Sequence, residues 1–280
     1  MIKSDIAVLC PKCRAKIGTI SEDFKTEIKC PACSFRPNTL HGVPILYQTE
    51  NLDELDQLQE SSSLPIQNSD DLKIPFIQEA LSSNEWVLEL GAGLDICTNP
   101  KLIKTDAFLY SKDLHCLADA HSLPFEDNTF GYVYSLAVFE HLHSPWIAAK
   151  EIFRVLKPGG KAFVLTAFTQ HMHGYPNHYF NMTLSGLKHI FKNFEIESLR
   201  PSKWSSLNES MYIVMDYINL IKESSSNILS EDEFGILDSS FKQICSINTK
   251  VDSFVHDNAN FSPDQYWAKV APAIEIIAKK

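Results

Sequence analysis

The sequence predicts an α/β protein: a mostly parallel sheet with helices on both faces, a small metal-binding ribbon in front and a helical extension behind. Three observations predict it. Short apolar strands alternate with helix-period segments through the middle of the chain. Four cysteines stand in two C-x-x-C pairs near the start. The last part of the chain carries apolar stripes at helical spacing. A length of 280 residues suits two domains, or one with appendages. The expected division is a ribbon over 1–48, a linker over 49–71, the sheet core over 72–205 and a helical extension over 206–280.

The ribbon rests on Cys10, Cys13, Cys30 and Cys33, with sixteen residues between the pairs. Each pair can sit on a tight turn, so that four thiolates close a tetrahedral Zn²⁺ shell with no open position. So short a segment buries little core by itself, and the metal is expected to supply its folding energy. Two disulfides are the alternative, and a cytosolic setting argues against them. Gly42 to Leu46 reads as the closing strand. Cys97, Cys116 and Cys245 are isolated and read as small apolar core residues.

Residues 50–71 are acidic, serine-containing and weakly periodic, as a linker with a short helical turn would be. Trp86 to Leu90 is a short apolar strand running into Gly91-Ala92-Gly93. Leu102–Asp106, Leu114–Ala118 and Tyr132–Leu136 read as further strands. Ser144-Pro145 opens a helix, serine as N-cap and proline in the first turn, with Ile147, Ala148, Ile152, Val155 and Leu156 on its apolar side. Pro158-Gly159-Gly160 stops it; Lys161–Thr166 and Phe194–Leu199 are the next strands. Met211, Val214, Met215, Ile218 and Ile221 form a helical stripe. Ser262-Pro263 opens a last helix through Trp267, Val270, Ile274 and Ile277, interrupted at Pro272.

Composition narrows the function. Hydrophobic residues make up 44% and charged residues 21%, an ordinary globular balance. Net charge is −10, which argues against tight non-specific binding of polyanions. No apolar run reaches the ~20 residues of a membrane span. The first residues lack the apolar core of a secretory signal, so the expected location is the cytoplasm.

Gly91-Ala92-Gly93 lets the backbone approach a ligand closely after the first strand. A dinucleotide site wants a further glycine at position 96, which is Ile96. Asp106, at the end of the next strand, stands where an acid commonly binds ribose hydroxyls. These residues alone read as a nucleotide-like ligand at the sheet's C-terminal edge.

Ala118-Asp119-Ala120, Ser122-Leu123-Pro124-Phe125, Asp127 to Phe130, Glu140-His141-Leu142 and Arg154 to Gly160 follow in order. Over roughly residues 84–200 the run resembles class I S-adenosylmethionine-dependent methyltransferases of the type 11 group, and the ribbon resembles zinc modules attached to such enzymes. The resemblance implies a Rossmann-like sheet and S-adenosylmethionine as cofactor. It implies that Glu89, Gly91, Ala92 and Gly93 line the methionine and ribose part, that Asp106 accepts from the ribose, and that Asp119 and Ala120 meet the adenine edge. Ser135 and Leu136 would lie near the methyl-donating sulfur. Phe168-Thr169-Gln170, His173 to Pro176 and Tyr179 to Thr183 resemble a bacterial subfamily associated with surface glycans and other small polar acceptors. Against the family pattern, Asp95 replaces the third glycine of the first motif, Gly131 replaces an aspartate, and too few residues separate Gly93 from Asp106 for a full first helix.

Methyl transfer needs a positioned nucleophile and, for a hydroxyl or amine, removal of its proton. His173, with His171 and His178 beside it, is the candidate base after the fifth core strand; Tyr175 and Tyr179 could shape an acceptor pocket. His141 reads as a structural hydrogen-bonding residue. The expected partner is a small-molecule or glycan acceptor, with the oligomeric state open. Two rivals are an RNA methyltransferase using its zinc module on substrate, which the charge and the lack of stacking aromatics between basic residues disfavour, and a methyltransferase-like binding protein without catalysis.

Overall fold

The computed structural model describes residues 6–20, 28–49, 51–58, 68–69, 72–170, 172, 177–202, 230–257 and 273–280. The N-terminal region holds two hairpins, β1 (Ile6–Leu9) with β2 (Lys16–Ile20) and β3 (Thr39–Leu40) with β4 (Val43–Pro44). A one-turn helix at Asp53–Leu55 follows. Then come α1 (Pro75–Ser82), β5 (Val87–Leu90), β6 (Leu102–Asp106), β7 (Cys116–Leu117), β8 (Phe130–Leu136), α2 (Pro145–Val155), β9 (Leu156–Ala167), α3 (Leu184–Ile190), β10 (Glu195–Pro201), α4 (Glu231–Asp257) and β11 (Ala273–Lys279).

Seven strands form one sheet in the order β10-β11-β9-β8-β5-β6-β7. Neighbours from β9 to β7 are parallel, and β11 runs antiparallel between β9 and β10. This is a Rossmann-like sheet, and its strand order reverses between β5 and β8. In such sheets the crevice beyond the strands' C-terminal ends at that reversal is the ligand site.

Alternation along the strands divides the core by face. Leu88, Leu90, Ile103, Val133, Val164, Ile274 and Ile276 pack on one face with Ala148, Ala149 and Ile152 of α2 and Leu187 of α3. Val87, Leu102, Tyr134 and Phe163 pack on the other with Phe76, Ile77 and Ala80 of α1. Helices therefore cover both faces, as expected. Ile6, Val8, Ile20 and Leu46 belong to the first of these clusters, so the N-terminal hairpin shares the main core. The metal is thus not its sole source of folding energy.

Several expectations change. Residues 273–279, expected to end a helix, form the strand β11. Ile274 and Ile277 are three apart, which suits a helix. Here Ile274, Ile276 and Ala278 face one core cluster and Ile277 the other. A strand flanked on both sides and covered on both faces is apolar throughout, so its sequence lacks clean alternation. Glu275 at its centre, 5% exposed, is met by Arg200 at 2.8 Å. The Met211 stripe and residues 262–272 lie outside the described residues. Ser144 occupies the N-cap of α2 but makes no side-chain cap; its hydroxyl lies 2.9 Å from His143 Nδ1. Ile147, expected on the apolar side of α2, is exposed. β9 begins at Leu156, running through Pro158-Gly159-Gly160, because Gly159 at φ +79° lets the chain continue and its N–H donates to Lys280. Gly131 lies against Glu85, where an added Cβ would meet the Glu85 Cβ at 2.5 Å.

Gly91 and Gly93 differ in what they tolerate. Both have positive φ, +76° and +53°. A Cβ on Gly91 would lie 2.2 Å from Val138 Cγ2, whereas one on Gly93 meets nothing within 4 Å. Gly91→Ala should cost about 2–4 kcal/mol, strain plus overpacking, and Gly93→Ala only about 1–2 kcal/mol of strain. Urea denaturation of both variants checks the order; equal losses would contradict it.

Candidate functional site

The turn after β5 is folded back onto β6. Gly91 N–H and Ala92 N–H both donate to Thr105 O, at 2.9 and 3.0 Å. This brings Gly93 N–H within 2.9 Å of Asp106 Oδ2, while Phe108 N–H donates to Oδ1 at 3.0 Å. Asp106 is 8% exposed. Burial pushes its carboxyl up to about 6, against the pull of the Phe108 and Gly93 N–H groups.

Asp95 explains how the chain manages without a helix between β5 and β6. Its Oδ1 accepts from Cys97 N–H at 2.8 Å and Ser69 N–H at 3.0 Å, closing a compact turn. Buried Lys104 donates to the Asp95 carbonyl at 2.8 Å. Glu89, 3% exposed, lies on the same face as Tyr134, whose hydroxyl meets Ser69 Oγ at 3.2 Å. Glu89 Oε2 and Asp95 Oδ2 have no hydrogen-bond partner. Burial, then the neighbouring Asp95, pushes the Glu89 carboxyl well above the usual range. Unsatisfied buried acceptors at the sheet's reversal point fit a polar, cationic ligand group.

The end of β8 separates two expected neighbours. Ser135 follows Val133 on the α2 face and Leu136 follows Tyr134 on the α1 face, so their side chains do not converge. Ser135 Oγ is fully buried and unpartnered. Beyond it, buried Glu140 accepts from Thr166 Oγ1 at 2.9 Å, and its Oε1 has no partner. In the sequence Glu140 stands out only as part of the Glu140-His141-Leu142 run.

Asp119 and Ala120 lie on the stretch leaving β7, which is gripped from two sides. Arg154 of α2 donates to Leu123 O at 2.9 Å and Phe125 O at 2.7 Å. Arg14, between β1 and β2, reaches the same carbonyls at 2.9 and 3.5 Å. Glu151 lies 2.7 Å from Arg154 and accepts from Leu123 N–H at 2.8 Å. Further N-terminal contacts hold the neighbouring loops. Leu9 N–H donates to Pro124 O, Leu46 N–H to Leu117 O, and Leu109 N–H to Leu55 O. Tyr47 donates to Ala107 O at 2.6 Å, and burial with nearby Asp119 and Asp106 pushes its phenol up. Arg14 and Tyr47 were not among the expected site residues, because their partners are backbone carbonyls far along the chain.

Cys10, Cys13, Cys30 and Cys33 place their Sγ atoms within 4.8 Å of one another, with Cys10–Cys33 at 3.6 Å and Cys13–Cys30 at 3.5 Å. A tetrahedral shell with Zn–S of about 2.3 Å has S–S edges of about 3.8 Å. The two turns match: Arg14 N–H donates to Cys10 O and Ser34 N–H to Cys30 O, each from a residue with φ near +60°. None of the seven cysteines is in a disulfide; Cys97 and Cys116 are buried as expected, and Cys245 is half-buried.

Comparison with known proteins bears on this arrangement. Residues 86–164 match the family model described as a methyltransferase domain. The sterol 24-C-methyltransferase erg6 of Schizosaccharomyces pombe is 48% identical over 52 residues, 19% of this chain and 14% of that protein. An uncharacterised Escherichia coli protein, YafE, is 29% identical over 104 residues, 37% of this chain and 47% of its own. The chain thus spans less than half the length of these relatives. The crystal structure of the [4+2]-cyclase SpnF superposes with a TM-score of 0.45 at 16% identity, covering 75% of this chain and 81% of that one.

Two histidines stand together after β8 and β9. His178 Nε2 lies 3.1 Å from Asn181 Oδ1, and its ring stands edge-on to His141 at 5.6 Å. His141 Nδ1 meets Asn177 O at 2.8 Å, the structural hydrogen bond expected of it. Tyr179 is half-exposed and accepts from Asn177 Nδ2 at 3.2 Å. His171, His173 and Tyr175 lie outside the described residues. No described helix is long and apolar enough to cross a membrane.

Arg154→Ala removes two carbonyl contacts and leaves Glu151 without its cation. It should lower stability by about 2–4 kcal/mol. Amide exchange over residues 118–126 should rise more than in β9; exchange confined to α2 would contradict the clamp.

Proposed function

We propose that this chain is an S-adenosylmethionine-dependent methyltransferase for a small polar or glycan-type acceptor, with a structural zinc ion on Cys10, Cys13, Cys30 and Cys33. The observation that carries the reading is the crevice at the strand reversal. There Asp106 is held by the Gly93 N–H, and Glu89 presents a buried, unpartnered carboxyl oxygen.

In this reading Asp106 receives the ribose hydroxyls, Glu89 serves the cationic methionine end, and Gly91, Ala92 and Gly93 give close backbone approach. Asp119 and Ala120 meet the adenine, while Ser135 and Leu136 contribute backbone near the sulfur. When bound, S-adenosylmethionine supplies a methyl carbon on a sulfonium. Transfer forms a bond from the acceptor's nucleophilic atom to that carbon, breaks the carbon–sulfur bond and releases the acceptor's proton. His173, supported by His171 and His178, is the residue we assign to take that proton. The polar rim of Asn177, His178, Tyr179 and Asn181 suits a hydrogen-bonding acceptor better than the sterol named for the Schizosaccharomyces pombe relative.

The Asp106 assignment sets a pH dependence. Ribose hydroxyls donate to the ionised carboxylate and favour it, so a group near 6 in the free protein titrates lower in the complex. Affinity for S-adenosylhomocysteine, read by calorimetry, should rise between pH 5 and 7, by about fivefold for a one-unit downward shift and by no more than about tenfold for a larger one. Asp106→Asn should bind weakly and lose the slope; wild-type affinity with the slope retained would refute the assignment. Stability of the free protein runs the other way. The raised native pKa contributes stability below about 4 that is lost as pH rises through about 6.

Two more outcomes are expected. Metal analysis should give one zinc per chain, and chelation should weaken S-adenosylhomocysteine binding, since the N-terminal region holds the loop that follows Asp106 and the stretch that carries Asp119. His173→Ala should lower turnover while leaving cofactor affinity within about twofold.

A further inference from the structure

Asp119 is held at one carboxylate oxygen only. His121 N–H donates to Asp119 Oδ1 at 2.8 Å, and the His121 ring reaches the same oxygen through Nδ1 at 2.7 Å. Oδ2 accepts no bond among the described residues, and the Asp119 side chain is 41% exposed. On its far side the ring is fixed as well: His121 Nε2 accepts from Ser144 N–H at 3.3 Å. Because Nε2 is the acceptor, the proton of the neutral ring sits on Nδ1 and points at Asp119. His143 lies flat against His121, centroids 4.1 Å apart and planes 12° apart, with its own Nδ1 2.9 Å from Ser144 Oγ. The imidazole is thus held at both nitrogens and on one face.

An unrestrained aspartate rotates, and its two oxygens exchange. Two hydrogen bonds into Oδ1 remove that freedom and leave one defined oxygen, Oδ2, for a ligand. Burial pushes the Asp119 carboxyl up, but the hydrogen bonds from His121 hold it below the usual range, so Oδ2 acts only as an acceptor. An acceptor-only oxygen matches an exocyclic amino group on a purine and mismatches a carbonyl in its place.

We propose that His121 is a positioning residue that fixes Asp119 so that Oδ2 selects a 6-amino over a 6-oxo purine in the bound nucleoside. The inference rests on the reading of Asp119 as the adenine-facing acid. It adds a residue, His121, and through Ser144 it ties the purine end of the crevice to the start of α2.

Calorimetry on the full chain with S-adenosylhomocysteine and its 6-oxo counterpart, S-inosylhomocysteine, tests it. Wild type should prefer the amino form by about tenfold or more, the worth of one charge-assisted hydrogen bond. His121→Ala should bind the amino form about tenfold more weakly and prefer it by less than about threefold. Two further variants separate positioning from general support, and they also serve if His121→Ala does not fold. His121→Asn places an amide N–H where Nδ1 stands and should recover most of the preference. His121→Gln can reach Ser144 N–H but offers Asp119 no matching donor, and should not recover it. Wild-type preference in folded His121→Ala or His121→Gln would overturn the inference and leave the methyltransferase reading intact. Failure of wild type to bind S-adenosylhomocysteine at all would overturn both.

Discussion

The sheet ends at β7, a strand of two residues with β6 on one side and the N-terminal region on the other. An exposed edge so short has few ladder bonds of its own, and its unpaired N–H and C=O groups must be met by something. Leu46 meets it at Leu117, Leu55 and Gln57 meet the chain at Leu109, and Leu9 meets it at Pro124. Asp106 ends β6, and Asp119 lies on the stretch after β7. The cysteine-bearing region is therefore a wall of the crevice, joined to the sheet by backbone pairing and by a shared apolar core.

Polar burial at the crevice follows the same logic. Asp95 takes the place of a helix by using one carboxylate oxygen to close a turn, which leaves its other oxygen and Glu89 Oε2 unpartnered. Such groups are costly in a resting protein and are kept where a ligand completes them. Arg154 shows the complementary solution. Two carbonyls and the Glu151 carboxylate satisfy its guanidinium, giving a rigid support under Asp119.

Much of this was legible along the chain. The strand–glycine turn–strand–acid series from Val87 to Asp106 has local signals: apolar runs, positive-φ glycines and an acid at a strand end. The cysteine pairs likewise report themselves by spacing. The reading failed where burial, not periodicity, set the pattern. β11 is apolar on both faces, so Ile274 and Ile277 imitate a helix. Ser144 was expected to cap α2 with its hydroxyl, but that hydroxyl meets His143.

Local sequence determined the parallel strands of the core, the helix α2, the glycine turn and the four thiols, because dihedral preference, apolar period and ligand spacing act within a few residues of one another. Only the tertiary structure decided that Arg14 grips the carbonyls of Leu123 and Phe125, that Tyr47 stands beside Asp106 and Asp119, and that His121 stacks on His143. Those contacts join residues far apart in the chain, and most run through backbone atoms that every residue shares. No pattern of side chains announces them until the fold brings them together.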